Sequence, residues 1–282
     1  MGQHYIPQYY LEGFTDSPAS SNIWVYEKGS SRIFRTAIKT VANENKRWPE
    51  SLETYLANEI EAPAKPVLDK IRNRQPITQG DKKVLSAYMV VMLKRVPRGK
   101  ERTKAIGPEV LNKVFANLEN DILKLLEEHP LKASVLESRL HELHSLKSKY
   151  ENEFPIELWY NNLTPDSLPR VLAILPAMTW TFLTSEKKQP FLTNDNPVFF
   201  FEGLGIGKHQ SEITFPISGT IALWATWRTN LAEGYVAAKD AATREINRRI
   251  ASAATRYVYY SIQAPWVVSL INKKNLKLHR LL

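Results

Sequence analysis

The sequence predicts an α+β fold, mainly helical, with an antiparallel or mixed β-sheet built from an N-terminal hairpin and the C-terminal third. Three observations carry this. Apolar and polar residues alternate on both sides of a break at "EKGSS". Apolar residues then recur at helical spacing between about residues 51 and 150. The last third is a series of consecutive β-type runs interrupted by one amphipathic helix. A chain of 282 residues is long enough for one large core, and no repeat, low-complexity tract or flexible linker divides it. The expected organisation is a single domain over 1–282, with a helical insertion or lobe at about 100–153.

In "HYIPQYYLEGF", Pro7 opens a short helix whose Leu11 and Phe14 turn inward, while Gln8 and Tyr10 lie on other faces. "NIWVYEKGSSRIFRTA" reads as a hairpin with Gly29 in its turn and Trp24, Tyr26 and Ile33 touching the core. "SLETYLANEIEAPAKPVLDKIRNRQ" is a helix capped by Ser51, which Pro63 and Pro66 kink or divide. The buried helix of "TQGDKKVLSAYMVVMLKRVPRGKER" ends near Val96, because Pro97 disfavours helical geometry in the residue before it. Two amphipathic segments joined at Pro130, "PEVLNKVFANLENDILKLLEEH" and "ASVLESRLHELHSLKSKYENEF", form an antiparallel helical pair. In "AMTWTFLTSEKKQPFLTNDNPVFFF", strand, polar turn and strand are followed by a break at "NDNP". "EITFPISGTIALWATW" and "RYVYYSIQAPWVVSLI" add further strands. Between them, "KDAATREINRRIASAA" is a helix to which Arg244, Arg248 and Arg249, with the nearby Arg256, would give a basic face.

Charge and composition bound the function. Thirty-eight Lys and Arg against 29 Asp and Glu give a net charge of +9, which favours approach to a polyanion such as nucleic acid. The absence of cysteine leaves His, Asp and Glu as the side chains able to hold a metal. No apolar run is long enough to span a membrane, and the opening residues lack the pattern of a signal peptide, so a cytoplasmic location is expected. The phosphate-binding loop, the dinucleotide fingerprint, the zinc-protease motif and the nucleophile elbow are all missing.

The remaining chemistry lies in scattered polar residues. His4 precedes the first short helix. Glu61 sits at the proline kink, and Arg95 and Arg98 straddle Pro97, where a guanidinium suits phosphate. Asp195 occupies a strand end between two amides, either as turn chemistry or as a metal ligand or base. His141 and His144 share a helical face without a partner motif.

These stretches resemble an uncharacterised, mainly bacterial family, domain of unknown function 4238. Its opening pattern H-Y-x-P-Q-x-Y-L-x-x-F is matched by His4, Tyr5, Pro7, Gln8, Tyr10, Leu11 and Phe14. "LKRVPR" is similar to its Arg-x-Pro element. "FLTNDNPV" is similar to a Thr-Ser-Asp-x-Pro strand end, with Asn194 in place of the serine, and "INRRIASAATRYVYYS" completes the match through Asn247. The resemblance implies one domain and supplies positions, not a mechanism.

Two functions follow as expectations. One is a metal-dependent phosphodiester hydrolase, a nuclease of phage defence or of a toxin system. In it His4, Glu61 and Asp195 are catalytic groups and ligands to Mg²⁺ or Mn²⁺, and Gln8, Arg95, Arg98 and Asn247 bind substrate. The other is a non-catalytic nucleic-acid-binding or regulatory module, in which His4, Gln8, Asp195 and Asn247 form a structural hydrogen-bond network.

Overall fold

The computed structural model describes residues 2–17, 19–30, 32–185, 189–231 and 233–271. Residue 31 of the expected hairpin turn and residues 186–188 of the expected polar turn lie outside these. The fold is α+β, with antiparallel and mixed sheets.

Three sheets are present among the described residues. β1 (Gly2–His4) pairs antiparallel with β4 (Asn43–Asn45). The expected hairpin, β2 (Asn22–Glu27) and β3 (Arg32–Ala37), joins β11 (Tyr257–Tyr260) and β6 (Thr193–Asn194) in the order β3-β2-β11-β6. Gly29 turns the hairpin at φ 92°, a left-handed conformation that glycine adopts without a steric cost. The third sheet, β10-β5-β9-β8-β7, belongs wholly to the C-terminal third. It comprises β5 (Thr179–Thr184), β7 (Phe199–Phe200), β8 (Glu212–Ser218), β9 (Ile221–Thr226) and β10 (Gly234–Ala237). It is mixed, because β10 runs parallel to β5 while the other pairs are antiparallel. Every residue of β8 and β9 is buried; β9 accordingly reads as a near-continuous apolar run, whereas β8 still alternates, its Glu212, Thr214 and Ser218 being buried along with its apolar residues.

α9 (Asp240–Ala253) packs where the two larger sheets face a common core. Its Ile246 and Ile250 meet Tyr26, Val258 and Tyr260 of one sheet and Leu183, Ala222 and Trp224 of the other. The expected basic face of this helix does not form. Arg249 is fully buried and ion-paired with Glu212 at 2.8 Å and Glu245 at 3.5 Å, and Arg248 pairs with Glu245 at 3.0 Å. A buried guanidinium needs such partners to offset its lost hydration.

α1 (Gln8–Glu12) docks on β8. Tyr10 is also fully buried, where the sequence placed it on another face. Its ring stacks on Phe215 at 5.2 Å, and its hydroxyl reaches Thr193 Oγ1 and the Pro216 carbonyl, both at 2.7 Å. Backbones approach closely here: Gly219 N donates to Gly13 O, and a Cβ on Gly13 would lie 2.6 Å from the Ile217 carbonyl oxygen.

The helix expected from Ser51 begins instead as α2 (Glu50–Tyr55), with Pro49 at its N-cap and no side-chain cap. Glu50 and Glu53 in the first turn complement the helix dipole in the cap's place. A π-helical segment, Leu56–Glu61, then leads into α3 (Ala62–Arg72), so the division falls just before Pro63. α4 (Gln79–Arg95) opens with a capping box of Thr78 and Asp81 and ends where Val96 turns extended before Pro97.

Backbone contacts separate the chain into two compact units, Met1–Gly99 with Leu163–Leu282, and Lys100–Asn162. The second unit contains most of α5 (Pro97–Glu128), together with α6 (Ala133–Asn152) and α7 (Ile156–Asn161). α5 and α6 form the expected pair. Phe115 packs against Tyr150 at 6.2 Å, and His144 meets Glu119 at 2.9 Å.

Candidate binding cleft beside Asp195

The candidate site residues fall into three separate arrangements. The first is organised by Arg95, which ends α4 with 1% of its side chain exposed. Its guanidinium donates to Glu61 Oε1 and to the His4 carbonyl, both at 2.6 Å. Arg47 donates in turn to the Arg95 carbonyl at 3.0 and 3.3 Å. The His4 ring is turned to the Lys39 carbonyl at 3.2 Å, and burial holds its pKa below the usual histidine value. His4 therefore ties the N-terminal strand down through its main chain, with Arg95 as the tie. Gln8 is exposed, away from this network. Arg98 is exposed and weakly paired with Glu202 at 3.5 Å.

The second arrangement is Asp195, 1% exposed, whose carboxylate accepts three backbone N–H bonds. Thr255 donates to Oδ1 at 2.7 Å, and Arg256 and Tyr257 donate to Oδ2 at 2.7 and 3.0 Å. Burial pushes this carboxyl up, against the downward pull of those donors and of Lys28. The flanking amides complete a latch. Asn194 Nδ2 donates to the Ile250 carbonyl at 2.5 Å, and Asn196 Nδ2 donates to that of Ala253 at 3.2 Å. "NDN" thus binds the end of α9 and the start of β11. In the third arrangement, Asn247 accepts from Leu192 N and donates to the Pro190 carbonyl, both at 2.9 Å.

The side chains of His4, Glu61 and Asp195 are thus each committed to different partners. Among the described residues, no group of three or more His, Asp or Glu is arranged to hold a metal ion. As a donor set for Mg²⁺ or Mn²⁺ the three do not fit, since Glu61 is held by a guanidinium and Asp195 by backbone donors.

What the structure does open beside Asp195 is a cleft of about 400 Å³, between the β1–β4 ribbon and one face of the four-stranded sheet. Strand register places Arg32, Phe34 and Thr36 of β3 on the same face as Val25 and Glu27 of β2 and Tyr257 of β11. Phe34, Thr36, Tyr257 and Arg256 line the cleft on this side, and Tyr5, Asn43 and Glu44 line it on the other. Two guanidinium groups lie over aromatic rings, Arg32 over Phe34 at 4.6 Å and Arg256 over Tyr257 at 4.9 Å. Both are largely exposed, and both reach Glu27, at 3.5 and 2.7 Å. Lys39 and Lys46 are exposed on the segment that carries the opposite wall. That wall includes Ala42 in the left-handed region at φ 51°, a strained conformation for a residue with a Cβ.

A family model described as "Protein of unknown function (DUF4238)" matches residues 2–264. The chain belongs to the DUF4238 family. No curated protein and no solved structure matches it. The DUF4238 match spans all three polar arrangements and the cleft. It therefore covers residues that the sequence does not single out as site residues: Arg47 near the start, Arg32 and Phe34 on β3, Tyr257 beside Asp195, and Tyr5, which the sequence marks only as part of the opening pattern. The available signal was the alternation of "RIFRTA", which puts Arg32 and Phe34 on one face.

Proposed function

We propose that this protein binds single-stranded nucleic acid in the cleft beside Asp195, and that its buried polar residues are the scaffold of that cleft. The reading rests on one observation: exposed arginines laid over two aromatic rings that line a cleft large enough for a nucleobase. Unpaired bases stack on aromatic faces, and guanidinium groups contribute both charge and cation–π attraction. Charge supports it. Residues 100–162 carry nine Lys and Arg against eleven Asp and Glu, which leaves 29 against 18 of the chain's 38 and 29, a net +11, for the unit that bears the cleft. Metal-dependent cleavage at His4, Glu61 and Asp195 is the weaker reading, because Glu61 is engaged by Arg95 and Asp195 by backbone donors.

Fluorescence anisotropy with short single-stranded DNA and RNA, and with duplex, tests the proposal. Stacking of a base on an aromatic side chain contributes about 1–3 kcal/mol, so Phe34→Ala and Tyr257→Ala should each weaken single-strand binding about 5- to 150-fold. If Arg32, Arg256, Lys39 and Lys46 meet phosphates, log affinity should fall with log salt at a slope of about −2 to −3. Absence of binding at low salt, or binding that neither aromatic substitution weakens, would overturn the proposal.

A further inference from the structure

Among the described residues, nine of the ten large apolar side chains that are exposed lie in Lys100–Asn162, and the tenth is Ile262. Five of the nine form a stripe on α5: Ile106, Val110, Val114, Leu118 and Leu125, from 59% to 41% exposed. Residues four apart form a ridge, and at 1.5 Å per residue this one is about 28 Å long. α6 does not cover it, since α6 packs on the neighbouring face through Phe115 and Glu119. A continuous apolar ridge left on a charged helix marks an interaction surface.

The residues bordering the ridge select its occupant. On the side away from α6 runs a second row at four-residue spacing, Lys113, Asn117 and Asp121: positive, neutral, negative. We propose that the ridge pairs antiparallel with the same ridge of a second copy of this chain, about a two-fold axis near Asn117. Lys113 and Asp121 lie four residues either side of Asn117, so each Lys113 stands level with the second copy's Asp121. The attraction is made twice, as a closed two-fold interface requires. Leu118 meets Val114 and Leu118 of the other copy. A parallel pairing would set lysine against lysine and aspartate against aspartate, which is repulsive. The ion pair that Lys113 already makes, to Glu109 at 2.7 Å, is solvent-exposed, so little opposes its redirection. With nine basic and eleven acidic residues the unit is also near neutral, so two copies do not repel strongly.

The test is the mass of the full chain by sedimentation equilibrium and light scattering, from about 1 to about 200 μM, the range where modest interfaces dissociate. A concentration-dependent rise to twice 32.3 kDa is expected. Leu118→Glu should weaken dimerisation by about tenfold or more, an effect of at least about 1.4 kcal/mol. Lys113→Glu and Asp121→Lys should each weaken it, and the double swap should restore it. Far-UV circular dichroism checks that each variant stays folded. A chain that is monomeric throughout, a dimer that Leu118→Glu leaves intact, or a double swap that fails to recover would overturn the inference.

Discussion

Asp195→Ala separates a structural latch from a ligand-contacting group. The side chain accepts three backbone N–H bonds between 2.7 and 3.0 Å, and its removal leaves the Thr255, Arg256 and Tyr257 donors without a protein acceptor. A fully buried orphaned donor costs about 1–3 kcal/mol. Thr255 and Arg256 are exposed and Tyr257 half-buried, so water can reach these donors and the low end of that range applies. Three donors at about 1 kcal/mol each give about 3 kcal/mol. For a chain of this size, 1 kcal/mol moves the melting temperature by about 2–4 °C, so a fall of about 6–12 °C is expected. Asp195→Asn should recover part of this, because its amide oxygen can take the place of Oδ2 and accept from Arg256 and Tyr257, while its amide nitrogen would face the Thr255 N–H and not accept from it. Differential scanning calorimetry at neutral pH reads both variants. A melt unchanged within a degree, with nucleic-acid binding lost, would refute the latch and return Asp195 to the role of a ligand-contacting group.

Two further substitutions test the buried charges. Burial depresses the pKa of His4, so the folded state binds its proton less readily than the unfolded chain. The stability this contributes is present above the unfolded value near 6.5 and lost as pH falls through the folded value. His4→Gln should flatten the pH dependence of chemical denaturation below pH 6.5, and an unaltered profile would exclude His4 as its source. Arg249→Met removes the cation between Glu212 and Glu245 and should destabilise the fold by about 3–5 kcal/mol, with part recovered by adding Glu212→Gln. A loss under 1 kcal/mol in urea titrations would show that Arg228 and Arg248 suffice to balance the two carboxylates.

The parts of the fold that were legible in the sequence are those set by neighbours in the chain. Gly29 reveals a turn because left-handed backbone favours glycine, and Pro97 reveals a helix end because its ring constrains Val96. The α5–α6 pair follows from its period. What escaped is decided at a distance. β1 and β4 are three residues each, too short to alternate, and exist because they pair with each other. Arg249 looks like its exposed neighbour Arg244 until Glu212, on strand β8, is seen beside it. Ser51 has the chemistry of a cap, but Pro49 supplies the extended residue two positions earlier. For the site, the sequence drew attention to Asp195 and Asn247, whose side chains the structure shows bonded to distant backbone. Their specificity is explained by backbone partners about 60 residues away, a relation that no local pattern encodes. The cleft itself required strand register, which only the paired sheet supplies.

The docking of α1 bears on how the chain acquires its shape during synthesis. Tyr10 bonds to the carbonyl of Pro216, 206 residues later, and the Gly13 carbonyl receives the amide of Gly219. At about 5–20 residues per second, a ribosome needs roughly 10–40 seconds to make that partner. Throughout that interval Tyr10, Leu11 and Phe14 have left the exit tunnel with no sheet to cover them. The α1 segment therefore emerges well before the strand that covers it, and a delay in translating the C-terminal third would lengthen its exposure to aggregation.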